Sequence, residues 1–425
     1  MAEIAVIGAG YVGLTTGACL SQLGHDVTVA DIDLPRIEAL QRGKIPFVEP
    51  ELSEIVNTGI KSKKLKFVVG AKNACESAEF HFVCLPTPAN NDGSTNLSFF
   101  KSGIEEISEV LQPNSILITK STVPVGTAAS LKAQLQRNDI SVVSNPEFLA
   151  EGNAVNDFLY PSRIVIGAET AEEAQRVAGL YSKINAPVIT TGWESAELIK
   201  HTANAFLAMK LTFINEIATL CERTDADIQD VAMGIGYDPR IGASYLNPGP
   251  GWGGSCFPKD SSSLAFIARE AGFNFTLLEH TIDLNRKHVE RTAMKVLEML
   301  PQEIHNQKIA AWGLTFKAGT DDLRSSPAID VLHHLVAEEN KICAYDPTVT
   351  QQIAQIPEVH VETDPYICAE NADVLVILTE WEEFNEVDMA RISEIMKSPN
   401  LVDTRNLFNR EQMEKLGFTY LGMGV

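Results

Sequence analysis

The chain has 425 residues, too many for one ordinary domain, so two or three are expected. Its 56 acidic side chains against 34 basic ones give a formal charge of -22, which argues against nucleic acid or an anionic membrane as a broad-surface partner. Seven scattered cysteines without a C-x-x-C pair fit a reducing cytoplasm and offer no zinc spacing, so no metal is expected.

Met1-Ala2-Glu3-Ile4 carries no basic leader, so a signal peptide is not expected. No apolar run approaches the ~18 residues of a spanning helix. Glu3 to Ile7 reads as a short strand, followed by Gly8-Ala9-Gly10-Tyr11-Val12-Gly13 and a helix of small residues to about Leu23. This is G-x-G-x-x-G between strand and helix. Gly8 permits the turn, Gly10 admits a pyrophosphate, and Gly13 lets helix and strand pack closely. A second strand, Asp26 to Ala30, delivers Asp31 to where the ribose of NAD is read. A carboxylate there repels the extra phosphate of NADP, so NAD is the expected cofactor, with Arg36 placed to pack over the adenine or, in an NADP enzyme, to cover the phosphate.

Further strands are expected over Phe80 to Leu85, Ser115 to Lys120, Ile140 to Ser144 and Arg163 to Gly167. The first three end in Pro86-Thr87-Pro88, Ser121-Thr122-Val123-Pro124 and Asn145-Pro146-Glu147, polar turns at the strand ends where open α/β sheets bind ligands.

From Glu194 to Arg223 the chain has helix formers and neither Gly nor Pro, which predicts a helix about 45 Å long. Lys200 and Asn204 share one face of it. On sequence alone Lys200 reads equally as a solubilising surface lysine. The helix is expected to link domains and supply a dimer surface. Gly234 to Pro250 is rich in loop residues, and helices are expected over Leu264 to Ala271 and Thr281 to Leu300.

Between them lies Gly251-Trp252-Gly253-Gly254-Ser255-Cys256-Phe257-Pro258-Lys259-Asp260. Its glycines permit positive φ and close approach to a ligand, and Lys259 can favour a thiolate. Cys256 is therefore the candidate nucleophile, whereas Cys19, Cys84 and Cys221 lie in helix or strand patterns and read as small buried hydrophobes.

A second α/β pattern starts at Lys308, with strands over Ile309 to Trp312, Lys341 to Tyr345, Ala372 to Thr379 and Asn400 to Thr404. Ser326 is expected to cap a helix that opens on Pro327. The second domain lacks the dinucleotide fingerprint and is expected to hold the rest of the substrate. The fold class is thus α/β: two Rossmann-like doubly wound domains, 1–192 and 301–425, joined by a helical segment, 193–300.

These ordered motifs, together with Phe148-Leu149-Ala150-Glu151-Gly152 and Gly313-Leu314-Thr315-Phe316-Lys317, resemble the UDP-glucose/GDP-mannose dehydrogenase family over essentially the whole length. The resemblance implies a homo-oligomeric enzyme that oxidises C6 of a nucleotide sugar by four electrons with two NAD per turnover. Cys256 would be the nucleophile, with Lys200 and Asn204 stabilising the oxyanion. Asp260 would direct water, assisted by Glu147 and Thr122. The implied cofactor surface is Gly8, Gly10, Tyr11, Val12, Gly13, Asp31, Arg36, Pro86, Thr87, Thr122, Glu151, Lys259 and Arg324. The implied substrate surface is Phe148, Leu149, Ala150, Glu151, Lys200, Asn204, Tyr245, Gly253, Phe257, Phe316, Lys317 and Arg405, with Arg240 donated by a neighbouring subunit. The motifs look most like the UDP-glucose branch. The alternatives are another nucleotide sugar such as GDP-mannose, a two-electron hydroxyacid dehydrogenase with no use for Cys256, or a silent NAD-binding scaffold.

Overall fold

A computed structural model describes residues 1–301, 307–338 and 340–425. The chain divides into two compact units, Met1–Ala203 with Ser262–Asn274, and Asn204–Ser261 with Phe275–Val425. Of the three cuts, two fall inside helices, Trp193–Thr224 and Phe257–Glu270, and the third falls in the loop before Thr276.

The first unit is built on strands β1 (Glu3–Ile7), β2 (Asp26–Asp31), β3 (Leu65–Val69), β4 (Phe80–Val83), β5 (Ile116–Thr119), β6 (Ser141–Ser144), β7 (Ile164–Gly167) and β8 (Val188–Thr191). Their order is β3-β2-β1-β4-β5-β6-β7-β8, parallel except where β7 meets β6. Alternation along β1 shows why the sheet is covered twice: Ile4 and Val6 join one apolar cluster, while Ala5 and Ile7 join the cluster on the opposite face. Burying each such branched side chain is worth roughly 1.5–3 kcal/mol. The order reverses between β1 and β4, which opens a crevice at their carboxyl ends.

The second unit repeats the plan with β9 (Lys308–Trp312), β10 (Lys341–Tyr345), β11 (His360–Glu362), β12 (Val374–Ile377), β13 (Asn400–Asp403) and β14 (Thr419–Gly422), ordered β11-β10-β9-β12-β13-β14 and all parallel. Ile309 and Ala311 face one core, and Ala310 and Trp312 the other. Helix Thr276–Glu298 lays Val289, Ala293 and Val296 on the first of these cores.

Four strands carry no readable sequence signal. β11 is three residues long, β14 follows a glycine turn, β8 is mostly exposed, and β3 lacks a clean alternation. The windows read from sequence also overrun: Leu85, Lys120 and Thr404 have already left their ladders. The helix expected from Leu264 instead begins at Phe257, because Pro258 fits a first turn and Asp260 favours the positive end of the helix dipole. Its partner begins at Thr276 rather than Thr281. Ser326 precedes helix Pro327–Val336 without capping it; its Oγ donates to the Leu314 carbonyl at 2.7 Å instead. Among the described residues, no helix is long and apolar enough to cross a membrane.

Candidate active site

In the first unit, the turn after β1 is shaped for a dinucleotide. Gly8 has φ +100°, and a Cβ on Gly13 would lie 1.9 Å from the Gly8 carbonyl oxygen. A Cβ on Gly10 would meet nothing within 4 Å, leaving open space above the turn. Helix Tyr11–Gln22 starts there with no side-chain cap and no acidic residue in its first turn. Its amide donors therefore suit a pyrophosphate, and the residues fit NAD. Val12 packs on the core beneath. Asp31 accepts from the Ala9 amide at 2.8 Å and pairs with Arg36 at 3.2 Å. This arrangement fixes the carboxylate beside the dinucleotide turn.

At the neighbouring strand ends, Pro86 is exposed and Thr87 buried. Thr87 Oγ1 donates to the Thr122 carbonyl at 2.8 Å, which ties the turns after β4 and β5 together. Glu147, just past β6, is buried; it accepts from the Leu149 amide at 2.5 Å and pairs with Lys200 Nζ at 3.0 Å. Lys200 is itself 2 % exposed, which removes the surface-lysine reading: a buried ammonium held by a carboxylate is not there for solubility. Its Nζ also lies 5.5 Å from the Phe148 ring centroid, and Arg163 stacks on that ring at 3.6 Å. The turn from Phe148 to Gly152 continues with half-buried Leu149, Ala150 and Glu151, and the Ala150 amide donates to Asp157 at 2.8 Å.

In the second unit, Cys256 is half-buried and stands immediately before helix Phe257–Glu270; its carbonyl accepts the first helical bond, from the Asp260 amide at 2.8 Å. A sulfur at a helix N-terminus is stabilised as thiolate by the dipole. Ser255 Oγ lies 3.5 Å from Cys256 Sγ. Asp260 is fully buried and doubly held: Asn204 Nδ2 donates at 2.6 Å and Lys259 Nζ pairs at 2.6 Å. Lys259 is thus engaged by the adjacent carboxylate rather than standing as an isolated cation beside the thiol.

The glycines of this stretch make room for the protein's own chain. A Cβ on Gly253 would meet the Ser325 carbonyl oxygen at 1.9 Å, and one on Gly254 (φ +83°) would meet the Phe316 ring at 2.8 Å. The Cys256 loop is thereby seated on the turns after β9, where Lys317 Nζ lies 5.7 Å from the Phe316 ring. Arg405, past β13, donates Nε to the Leu378 carbonyl at 3.0 Å and pairs with Glu380 at 3.0 Å. Tyr245 adopts φ +64°, with its ring 6.2 Å from that of Phe257. Arg324 and Arg240 are turned onto Asp322 and Asp238, at 2.6 Å each, and Arg240 is 87 % exposed along its side chain. The positions named from sequence thus fall into two sets. Gly8 to Lys200 belong to the first unit, at or near the carboxyl ends of its strands, and Asn204 to Arg405 belong to the second, on the Cys256 loop and the turns after β9 and β13, except Arg240, which is turned outward onto Asp238. Helix Trp193–Thr224 carries Lys200 and Asn204 one turn apart.

Three carboxylates were not legible. Glu49 is buried and accepts from the Gly152 and Ala154 amides at 2.7 Å each. Glu197 accepts from Gly126 and Ala128 at 2.6 and 2.8 Å. Asp346 accepts from Leu314 at 2.8 Å and from Thr315 and Trp381 at 3.2 Å. The only available signal was an acidic residue inside an otherwise apolar or proline-flanked run, as in Pro46-Phe47-Val48-Glu49-Pro50.

Comparison with known proteins places this geometry. Family models match at residues 2–185 (UDP-glucose/GDP-mannose dehydrogenase family, NAD binding domain), 194–287 (central domain) and 310–410 (UDP binding domain). The chain is 42 % identical to a UDP-glucose 6-dehydrogenase of Rhizobium meliloti over 99 % of both chains. It is 39 % identical to UDP-glucose 6-dehydrogenase TuaD of Bacillus subtilis, over 100 % of this chain and 93 % of that one. Among solved structures, a UDP-glucose dehydrogenase from Pyrobaculum islandicum superposes with a TM-score of 0.92 at 29 % identity, covering 100 % and 98 % of the two chains.

Proposed function

The chain belongs to the UDP-glucose/GDP-mannose dehydrogenase family and is an NAD-dependent dehydrogenase; from that premise we propose that it oxidises UDP-glucose at C6 to UDP-glucuronate, with two NAD and one water per sugar. The observation that carries the reading is Cys256 at the start of a helix whose first turn presents Asp260, bonded to Asn204.

NAD, when bound, accepts the hydride of each oxidation. The first oxidation leaves an aldehyde at C6, which has no hydride to give until a nucleophile adds. Cys256 Sγ forms the C–S bond, and the carbonyl oxygen takes a proton, giving a thiohemiacetal that still bears hydrogen on C6. The second oxidation converts it to a thioester. Water then adds to the thioester carbon, the C–S bond breaks, and the thiol regains its proton.

Lys200 and Asn204 supply the charge and the amide donor needed where alkoxide develops. Asp260 and Glu147 supply the carboxylates that orient water and take its proton, with Thr122 ordering that water. Glu147 is suited to this because Lys200 and the Leu149 amide fix its orientation. Lys317 and Arg405 answer the charge of the diphosphate. Phe206, Phe213 and Leu220 recur every seven residues on helix Trp193–Thr224 and are 53–55 % exposed. We propose that this apolar stripe pairs two copies, with Arg240 reaching the partner's substrate.

The test is stoichiometry. A limiting amount of UDP-glucose in excess NAD yields two NADH and one UDP-glucuronate. One NADH, or turnover of GDP-mannose in place of UDP-glucose, overturns the assignment. Cys256→Ser keeps ligand binding and loses at least ~10³-fold of the complete reaction; undiminished double oxidation rules out the covalent route. Light scattering reads the oligomer.

A further inference from the structure

Tyr11 is the first residue of the helix that follows the dinucleotide turn, yet its hydroxyl does not face outward. It donates to Glu49 and accepts from the Gly152 amide at 3.0 Å. Glu49 is 8 % exposed, and its two oxygens also take the amides of Gly152 and Ala154 at 2.7 Å each. The Tyr11 ring packs on Phe47, 4.8 Å between centroids, two residues before Glu49. Gly152, at φ +80°, closes the turn that begins at Phe148. One buried carboxylate thus receives donors from the cofactor turn and from both sides of the end of the other turn. Burial, and after it the neighbouring Glu49, push the Tyr11 phenol up, so it stays protonated and donating. An ionised acceptor makes these bonds stronger than neutral ones, and an amide left without it in a buried place is costly.

We propose that Glu49 is a positioning residue that, through Tyr11, locks the Phe148–Gly152 turn to the dinucleotide turn, so that the Tyr11 hydroxyl serves sugar-nucleotide placement rather than cofactor affinity. This rests on the reading of that turn as lining the substrate. A turn held this way keeps the sugar in register with the cofactor through each oxidation, where displacements of about 1 Å cost rate steeply.

Tyr11→Phe removes one oxygen and leaves the ring on Phe47. In the full enzyme it should raise KM for UDP-glucose roughly tenfold and lower kcat, while the Kd of NAD, titrated by fluorescence, stays within about twofold. Glu49→Gln keeps the shape but loses the charge and faces amide donors with its own NH₂; it should shift KM and kcat further in the same direction, again with NAD affinity held. Amide hydrogen exchange gives a readout independent of turnover: Gly152 and Ala154 are protected in the parent enzyme and lose protection in both variants. A rise in NAD Kd matching the change in KM, or unchanged KM and unchanged protection, overturns the inference. The parent enzyme run alongside separates the two readings. If it fails to oxidise UDP-glucose, the functional assignment falls, while amide protection still decides the lock.

Discussion

The two sheets of this molecule start from the same plan and part at one turn. Each places a carboxylate at the carboxyl end of its second strand to receive amides from the turn after the first: Asp31 accepts from Ala9, and Asp346 accepts from Leu314 and Thr315. In the first sheet the helix follows at once, with Gly10 before it and its first amides uncapped. In the second, the chain runs from Gly313 to Ser326 before the helix, which then opens on Pro327 and so has one donor fewer. Asp346 also takes Trp381 Nε1 and is 1 % exposed, whereas Asp31 is half-buried and shared with Arg36. A doubly wound sheet thus offers a dinucleotide site only where the first turn leaves its donors free. Where an internal carboxylate saturates that turn, a longer loop follows before the helix, here bearing Phe316 and Lys317, the residues proposed to meet the nucleotide sugar.

That contrast can be broken from either side. The largest effect is expected from Gly13→Ala, whose new Cβ would collide with the Gly8 backbone; NAD affinity should fall about 100-fold or more by titration, from overpacking of a rigid turn. Gly313→Ala, whose Cβ would lie 2.5 Å from the Thr379 amide, should lower Tm while NAD Kd stays put.

Next comes Asp346→Ala. It strands the Leu314, Thr315 and Trp381 donors in a buried turn and should cost about 3 kcal/mol in urea unfolding. Asp31→Ala should leave stability nearly unchanged, weaken NAD roughly tenfold and narrow its advantage over NADP. A smaller effect is expected from Lys317→Ala: KM for the nucleotide sugar should rise several-fold, roughly 1 kcal/mol, with NAD Kd unmoved.

The smallest concerns pH. Burial raises the Glu197 carboxyl to about 7, against the pull of the Gly126 and Ala128 amides. Between its ordinary range and 7 the folded form holds a proton that the unfolded chain has released. Glu197 therefore favours folding on the acid side, and that contribution is lost as pH rises through 7. Glu197→Gln should flatten the stability profile between pH 5 and 7 by no more than about 1 kcal/mol per unit.

Much of this was written locally. The period-two alternation of β1 and β9, the glycine fingerprint and the acidic residue that ends β2 are short-range patterns, and each is fixed by backbone sterics or strand geometry within a few residues. Most of the family motifs belong with them, since they are turns at strand ends; the Cys256 stretch instead precedes a helix. The long helix needed only an unbroken run of helix formers. Sequence alone therefore determined the fold class, the cofactor and the candidate nucleophile.

What it left open were partners distant in the chain. Lys200 read as well on a surface as in the interior, because its burial depends on a carboxylate 53 positions away that arrives in the turn after β6. The glycines before Cys256 looked like space for a ligand; only packing showed that Ser325 and Phe316 occupy it. The start of the Cys256 helix was masked by glycine and proline, whose local preferences argue for a loop until a first turn forms on Asp260 and Asn204. Glu49 carried no motif at all. Its role exists only because the tertiary fold brings three donors to one buried carboxylate, and burial turns a neutral-looking acid into a costly group that must be satisfied.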